Sequence, residues 1–296
     1  MVKASLALAI ITTGLICLGI SWFSRRNGGE RFAAWGWIFT GFYFFLDSDR
    51  YIGEGDPLLL VFSAAALPAG FALAVWEMKA NEDNKELQWF RGAVFWSATP
   101  YLLFVMVPWL NAMAIWFVAW QSMLFLQWSG GGDISIGETY VNTSEGRHVF
   151  SDWVGSNWLM LDQSAEYPIQ AQLLSGGDPI GINFVLACTA LQSMIIFVGA
   201  IISLDIDWRR KARALLIVLP VIHLLNMFRN AGLVWLHMNY PDWEFMGLSM
   251  FDFGHLYAAR IVSLFAMFLI ALVLFEILPE LHRNVMKLLK PLGIGK

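Results

Sequence analysis

Three segments, far apart in the chain, each carry a reactive or charged residue inside an apolar run. The first is Leu186-Ala187-Cys188-Thr189-Ala190-Leu191-Gln192-Ser193-Met194, within the stretch from Gly181 to Leu204. An ionised cysteine there would be a nucleophile. Read as helix, Cys188, Thr189, Gln192 and Ser193 fall inside an arc of about 140°. Such a patch must meet protein or a wet cavity, because polar groups facing hydrocarbon without partners are costly. The second segment carries Arg229; His223, Asn226, Asn230 and His237 share its helical face over an arc of about 120°. The third carries His255 and Arg260, with Tyr257 and Ser263 beside them. Arginine stays protonated in proteins, so it serves as a fixed cation and not as a base. Two guanidinium groups near a thiol would lower its pKa toward 7 and hold an oxyanion. If a base is needed, His255 is the local candidate, with His223 and His237 behind it; a thiolate already formed would need none.

The elements that must position these groups follow from composition. Of 296 residues, 58% are hydrophobic and 14% charged, and the mean hydropathy is +0.58. Soluble domains carry about 25% charged residues. The chain therefore reads as all-α: one integral membrane domain over 1–296, a polytopic helix bundle with seven or eight spanning helices. Apolar runs lie at 4–23, 32–46, 57–76, 181–204, 212–236 and 257–278. The run 4–23 lacks a small-x-small cleavage site, so it reads as the first span and not as a signal peptide. A further run, 92–128, is too long for one helix across a core of about 30 Å. Pro100, Pro108 and Asn111 divide it into a tight helix pair, or into a span and a re-entrant piece.

Residues 129–181 form the long polar segment, expected as an extracytoplasmic loop acting as a lid. Lys and Arg collect in 205–213 and in the tail holding Arg283, Lys287, Lys290 and Lys296, which places both inside. Loops 129–181 and 237–256 are then outside. Charge favours seven crossings; the length of 92–128 favours eight. In either count Cys188 and Arg229 lie about 10 Å below the outer surface, with Arg260 one to two turns in. The expected location is the cell membrane, multi-pass, with the site toward the extracellular side. An arginine inside a span costs at least ~2.5 kcal/mol, and two at one level repel unless an anion or polarised oxygen lies between them.

Plainer readings stand beside these. Cys17 reads as a small hydrophobe, and Cys188 alone would too. Arg260 could snorkel to the interface. Asn226 and Asn230 suit helix–helix hydrogen bonds, and His237 and His255 suit loop ends. Glu276 suits a helix end, and Asn142-Thr143-Ser144 is a glycosylation sequon. The two cysteines have no metal-type spacing, and neither a metal, a cofactor nor a nucleic-acid partner is implied. A transporter with an anion site at Arg229 and Arg260 would need polar residues continuing inward, yet 194–204 and 264–275 are nearly all apolar. A lipid-modifying transferase using an intramembrane His is a further alternative.

Leu186-Ala187-Cys188-Thr189-Ala190, Asn226-Met227-Phe228-Arg229-Asn230, and His255-Leu256-Tyr257-Ala258-Ala259-Arg260 with Ser263-Leu264 resemble the motifs of the exosortase/archaeosortase family. The specific likeness covers 181–265, which the resemblance marks as the catalytic region. It implies a thiol protease and transpeptidase at the outer face of an archaeal membrane, working without a cofactor. Its substrates would be membrane-anchored precursors with a C-terminal tripartite signal: a Pro-Gly-Phe motif, a spanning helix and a basic cluster. The new C-terminus would pass through a Cys thioester to a lipid amine. By the same resemblance Cys188 matches the nucleophile, Arg229 a polar partner or proton donor, and Arg260 the transition-state stabiliser. Thr189, Gln192, Asn226 and Asn230 are supporting residues. The third family position is a His or an Arg by branch, so His255 and Arg260 both remain open for it.

Overall fold

The computed structural model describes residues 2–24, 29–46, 48, 51–52, 57–80, 84–156, 158–160, 167–245 and 247–290. Lys296, which entered the charge reading, lies outside them. Among the described residues five helices are long and apolar enough to cross a membrane: Ser5–Phe23, Leu59–Lys79, Pro108–Trp128, Trp208–Asn239 and Ala259–Ile277. The chain is therefore mostly helical and multi-pass. It groups into two compact units.

The first unit takes Met1–Pro100, Ile195–Lys211 and Leu278–Lys296. It contains α1 (Val2–Phe23), α2 (Gly29–Leu46), α3 (Pro57–Lys79), most of α4 (Lys85–Met106) and α9 (Pro279–Leu289). The helices α2 and α3 cross backbone to backbone at Gly41 and Gly70. A Cβ on Gly41 would sit 2.6 Å from the Ala66 carbonyl oxygen, and one on Gly70 would sit 2.6 Å from that of Trp37. Small residues permit such an approach, as in membrane helix pairs generally. A buried polar network ties these helices. Arg91 grips Glu77 with two nitrogens, at 2.8 and 2.6 Å. It also donates to Ser21 Oγ at 2.9 Å, and the Trp37 indole donates to Glu77 at 3.0 Å. The Glu77 side chain is fully buried. At the edge of this unit Arg210 holds Glu280 in a bidentate pair at 2.8 and 2.9 Å, fixing the start of the amphipathic α9.

The second unit, Tyr101–Met194 and Ala212–Ile277, holds every residue of the candidate site. Its first helix is α5 (Pro108–Trp128). The long apolar run 92–128 is thus part of two helices of ordinary spanning length, α4 and α5. They divide at Val107, where Pro108 opens α5 with the φ a first helical turn needs.

The expectation of an all-α chain with a loop over 129–181 is corrected here. That region folds as a four-stranded antiparallel sheet in the order β2-β1-β3-β4: β1 (Ile134–Thr143), β2 (Gly146–Val149), β3 (Ile169–Ser175) and β4 (Asp178–Phe184). Ile169, Ala171 and Leu173 alternate inward along β3. They join Ile134 and Val141 of β1 in one core with Ile115, Val118, Ala119 and Leu126 of α5. A two-residue turn with positive φ at both Gly176 and Gly177 closes the β3–β4 hairpin.

The apolar run from Gly181 to Leu204 is likewise not one spanning helix. It divides into the end of β4, a single 3-10 turn at Leu186–Thr189, and α6 (Leu191–Ile202). Twelve residues of helix reach only about 18 Å, short of a hydrocarbon core of about 30 Å. After it come α7 (Trp208–Asn239), a helical turn at Met250–Phe253, a wider π turn at Gly254–Ala258, and α8 (Ala259–Ile277).

Because Glu77 is fully buried against Arg91, removing one partner leaves an uncompensated charge. Arg91→Ala is expected to destabilise the protein by about 3–5 kcal/mol, whereas the Arg91→Met, Glu77→Leu pair should cost much less. Thermal unfolding of the two variants in detergent checks this.

Candidate active site

The strand-to-helix turn is held by a small set of bonds. Ala190 takes a left-handed conformation (φ 54°, ψ 13°) between the 3-10 turn and α6, which costs a non-glycine residue about 1–2 kcal/mol. Thr189 is buried; its hydroxyl donates to the Leu186 carbonyl at 2.6 Å and accepts from the Leu191 N–H at 3.2 Å. It therefore caps the start of α6. The Cys188 carbonyl accepts two amide hydrogen bonds, from Asn226 Nδ2 and Asn230 Nδ2, both at 2.8 Å. One turn of α7 separates the two asparagines, and both are buried. Their spacing lets one helix face fill both lone pairs of a single carbonyl oxygen.

This geometry corrects the expected polar arc. Ala190 ends the turn, so Cys188 and Thr189 do not continue the face of α6. Thr189 points into the fold as a cap. Gln192 is exposed and donates to Tyr101 Oη at 2.5 Å, and Ser193 lines a different cavity from Cys188.

Cys188 opens on a cavity of about 240 Å³ whose wall includes Arg229, Asn230, Phe251 and His255. Arg229 donates to Asn230 Oδ1 at 3.4 Å and forms no ion pair with any described residue. Asn230 therefore bridges the Cys188 carbonyl and the guanidinium. The His255 ring stacks on Phe251, 5.7 Å between centroids with planes 4° apart. Phe251 also meets the edge of His237 at 5.4 Å.

The remaining candidates lie elsewhere. His237 must donate through Nε2, since its partner at 3.0 Å is the Ile180 carbonyl oxygen; it pins β4 to the end of α7. His223 stacks on Phe117, and its buried Nε2 has no hydrogen-bond partner among the described residues. Neither lines the thiol cavity, which leaves His255 as its histidine. Arg260 is exposed in the first turn of α8 and lines neither the thiol cavity nor the one that Ser193 lines. Its charge still reaches both Arg229 and His255. Cys17 lies on α1, in the other unit.

Cys188 and His255 both precede the helices that follow them, outside the five long apolar helices. Burial pushes the Cys188 thiol up; the Val185 backbone and the Arg229 charge oppose this without overcoming it. The expected depression toward 7 is therefore not the balance in this cavity. Burial also pushes His255 down, helped by Arg229 and Arg260 and opposed by Asp252. At neutral pH the pair is an uncharged thiol and an uncharged imidazole beside a fixed cation. The sequence singles out neither Phe251 nor the conformation of Ala190: aromatic residues are common here, and a left-handed alanine has no sequence signature.

Over 57 residues the chain is 42% identical to archaeosortase A of Haloferax volcanii. The likeness is to an archaeosortase. The matched stretch is 19% of either protein, so the chain spans about a fifth of the length of the curated relative it matches. No family model matches, and no solved structure does. The archaeosortase match agrees with the family whose motifs the three segments resemble.

Iodoacetamide labelling of Cys188 in folded protein tests the electrostatics of this cavity. The labelling rate should titrate above the ordinary thiol value of about 8.5. Arg229→Gln removes a charge that favours thiolate and should move the midpoint higher. A wild-type midpoint below 7, or one unmoved by Arg229→Gln, contradicts this reading.

Proposed function

We propose that the protein is a cysteine-dependent membrane transpeptidase of the archaeosortase kind. In this reading it cleaves the C-terminal sorting signal of membrane-anchored precursors at the outer face of the cell membrane. The observation that carries the reading is that Cys188, Arg229 and His255 line one cavity, with the Cys188 backbone locked to the helix bearing Arg229. The Pro-Gly-Phe motif and the lipid-amine acceptor come from the family resemblance and are part of the proposal.

The chemistry follows from the neutral resting pair. As Cys188 Sγ attacks the scissile carbonyl carbon, His255 accepts the thiol proton. The carbonyl oxygen gains the negative charge, and Arg229 donates to it. Such a donor is worth about 3–4 kcal/mol where water is excluded. Arg260 adds positive potential as the second stabiliser. Arg229 keeps its own proton throughout, so proton transfer belongs to His255. The tetrahedral intermediate collapses, the C–N bond breaks, and the leaving amine takes the proton from His255. A thioester remains on Cys188. A lipid headgroup amine then attacks, gives its surplus proton to His255, and displaces the thiol; with water in its place the product is the free acid.

Mass spectrometry of a reporter carrying a Pro-Gly-Phe tail, co-expressed with each variant, tests the assignment. Cys188→Ala should abolish processing, and Arg229→Gln should reduce turnover about 10²–10³-fold. Normal processing in Cys188→Ala sinks the proposal. The role of His255 has its own signature. Its pKa lies below the usual value of about 6.5, so the base form is present at neutral pH and is lost as pH falls through the lowered value. kcat/KM should fall on that acidic limb in wild type, and His255→Gln should remove the limb along with most of the rate.

A further inference from the structure

His255 lines the thiol cavity, yet neither of its ring nitrogens has a hydrogen-bond partner among the described residues. A histidine that moves protons is commonly aimed by a carboxylate or a backbone carbonyl on its far nitrogen. Asp252 is the acidic residue whose charge reaches His255. Its Oδ2, however, accepts from the Ser249 hydroxyl at 2.7 Å, and its N–H donates to the same hydroxyl at 3.0 Å. The two residues cap the turn Met250–Phe253, and no bond runs from Asp252 to the imidazole. What lies flat against His255 is a ring. Phe251 and His255 stack with planes 4° apart and 5.7 Å between centroids, inside the roughly 4.5–7 Å range of paired rings. They stand four residues apart, the spacing at which helical side chains are neighbours. Phe251 is held in turn, since it meets His237 at 5.4 Å and 72°, and His237 is bonded to Ile180 of β4.

We propose that Phe251 is a positioning residue: it fixes the plane of the His255 imidazole toward the Cys188 thiol, the task a carboxylate performs for other proton-transferring histidines. The inference rests on the transpeptidase reading, in which His255 takes the thiol proton, and adds what aims it. The last torsion of a histidine side chain is broad, so an imidazole without a hydrogen bond turns about it unless something flat stops it. Turning out of the stacked plane gives up the contact with the Phe251 face. Both ring nitrogens lie in that plane, so the stack confines the lone pair that accepts the proton to directions within it. A ring does this without adding charge. A carboxylate at the same place would hold the imidazole in its protonated form and would pair with Arg229. The base would then already carry a proton, and the cation would already be neutralised before any oxyanion formed. Phe251 leaves the imidazole neutral and the guanidinium unopposed.

The test is a double-mutant cycle on full-length protein in nanodiscs, with the reporter carrying the Pro-Gly-Phe tail as substrate. Phe251→Leu keeps an apolar side chain and removes the ring face. It should lower kcat about tenfold and leave KM within about twofold. Phe251→Tyr keeps the ring and should hold kcat within about twofold of wild type. In the His255→Gln background, with rates read above the Cys188→Ala blank, Phe251→Leu should lower turnover no further, because it acts through a residue already removed. Unchanged thermal unfolding shows that the fold is kept; where Phe251→Leu fails this, Phe251→Met replaces it. A readout independent of turnover is the ring-proton resonance of His255, identified by its loss in His255→Gln. It should move in Phe251→Leu and stay near its wild-type position in Phe251→Tyr. An unchanged kcat in Phe251→Leu, an equal loss in both backgrounds, or a resonance that does not move overturns the positioning role. Each of these leaves the transpeptidase standing as long as cleavage needs Cys188. Cleavage that persists in Cys188→Ala discards the catalytic reading and the role of Phe251 together, whatever the resonance shows.

Discussion

The carbonyl of Cys188, held by two asparagine amides one helical turn apart, fixes most of what can happen at this site. Without those bonds the turn Leu186–Thr189 would depend on the Thr189 hydroxyl and on a left-handed alanine, which is itself unfavourable. With them, the backbone of the thiol residue becomes part of the surface of α7. The same helix carries Arg229, whose guanidinium leans on the far oxygen of Asn230. One amide thus sets both the position of the sulfur's backbone and the direction of the nearest cation. A buried carbonyl stripped of its donors costs about 1–3 kcal/mol, enough to decide between two arrangements of a four-residue turn.

The cavity built this way is apolar enough to favour neutral groups. Burial outweighs the pull of Arg229 on the thiol, and it pushes His255 in the direction that keeps imidazole uncharged. These two effects work together. In the proposed mechanism, a thiol that ionises only as a neutral base takes its proton stays unreactive until substrate is in place. The cation, with no ion-pair partner among the described residues, is the complement of that choice. In the proposed reaction Arg229 gains little in the resting cavity, and its favourable interaction arises when the substrate's carbonyl oxygen becomes negative. Interactions made only in the transition state are the ones that raise turnover.

The sequence shows the candidate site residues more clearly than the backbone that carries them. Charge and hydropathy mark the membrane, and the polar stripe of α7 is legible because Asn226, Arg229 and Asn230 repeat at helical spacing inside an apolar run. The segment 181–204 misleads for a physical reason. Ile182, Phe184, Val185 and Leu186 suit a strand end and a buried turn as well as they suit a span, and apolar content alone does not separate the two. Ala190 gives no warning, since a left-handed residue is expected to be glycine or asparagine. The sheet was hidden by its own irregularities. Register shifts between Ile136 and Thr139 and between Gln172 and Leu174 break the alternation by which strands are recognised. Glu77 and Arg91 are far enough apart in sequence that only the fold pairs them.

The sheet changes what positions the thiol. A loop over 129–181 could cover a site but could not hold one. The strands β1 and β3 are packed on α5 through alternate inward residues, and β4 is hydrogen-bonded to β3 up to Phe184. From Phe184 only four residues lead to Cys188, and His237 adds a bond from the end of α7 to Ile180 in the same strand. Cys188 therefore sits at the junction of two regular elements, strand on one side and helix on the other, with the α7 amides closing the third. A side chain placed on such a junction has its backbone fixed from both directions, by the strand ladder before it and by the α7 amides on its own carbonyl.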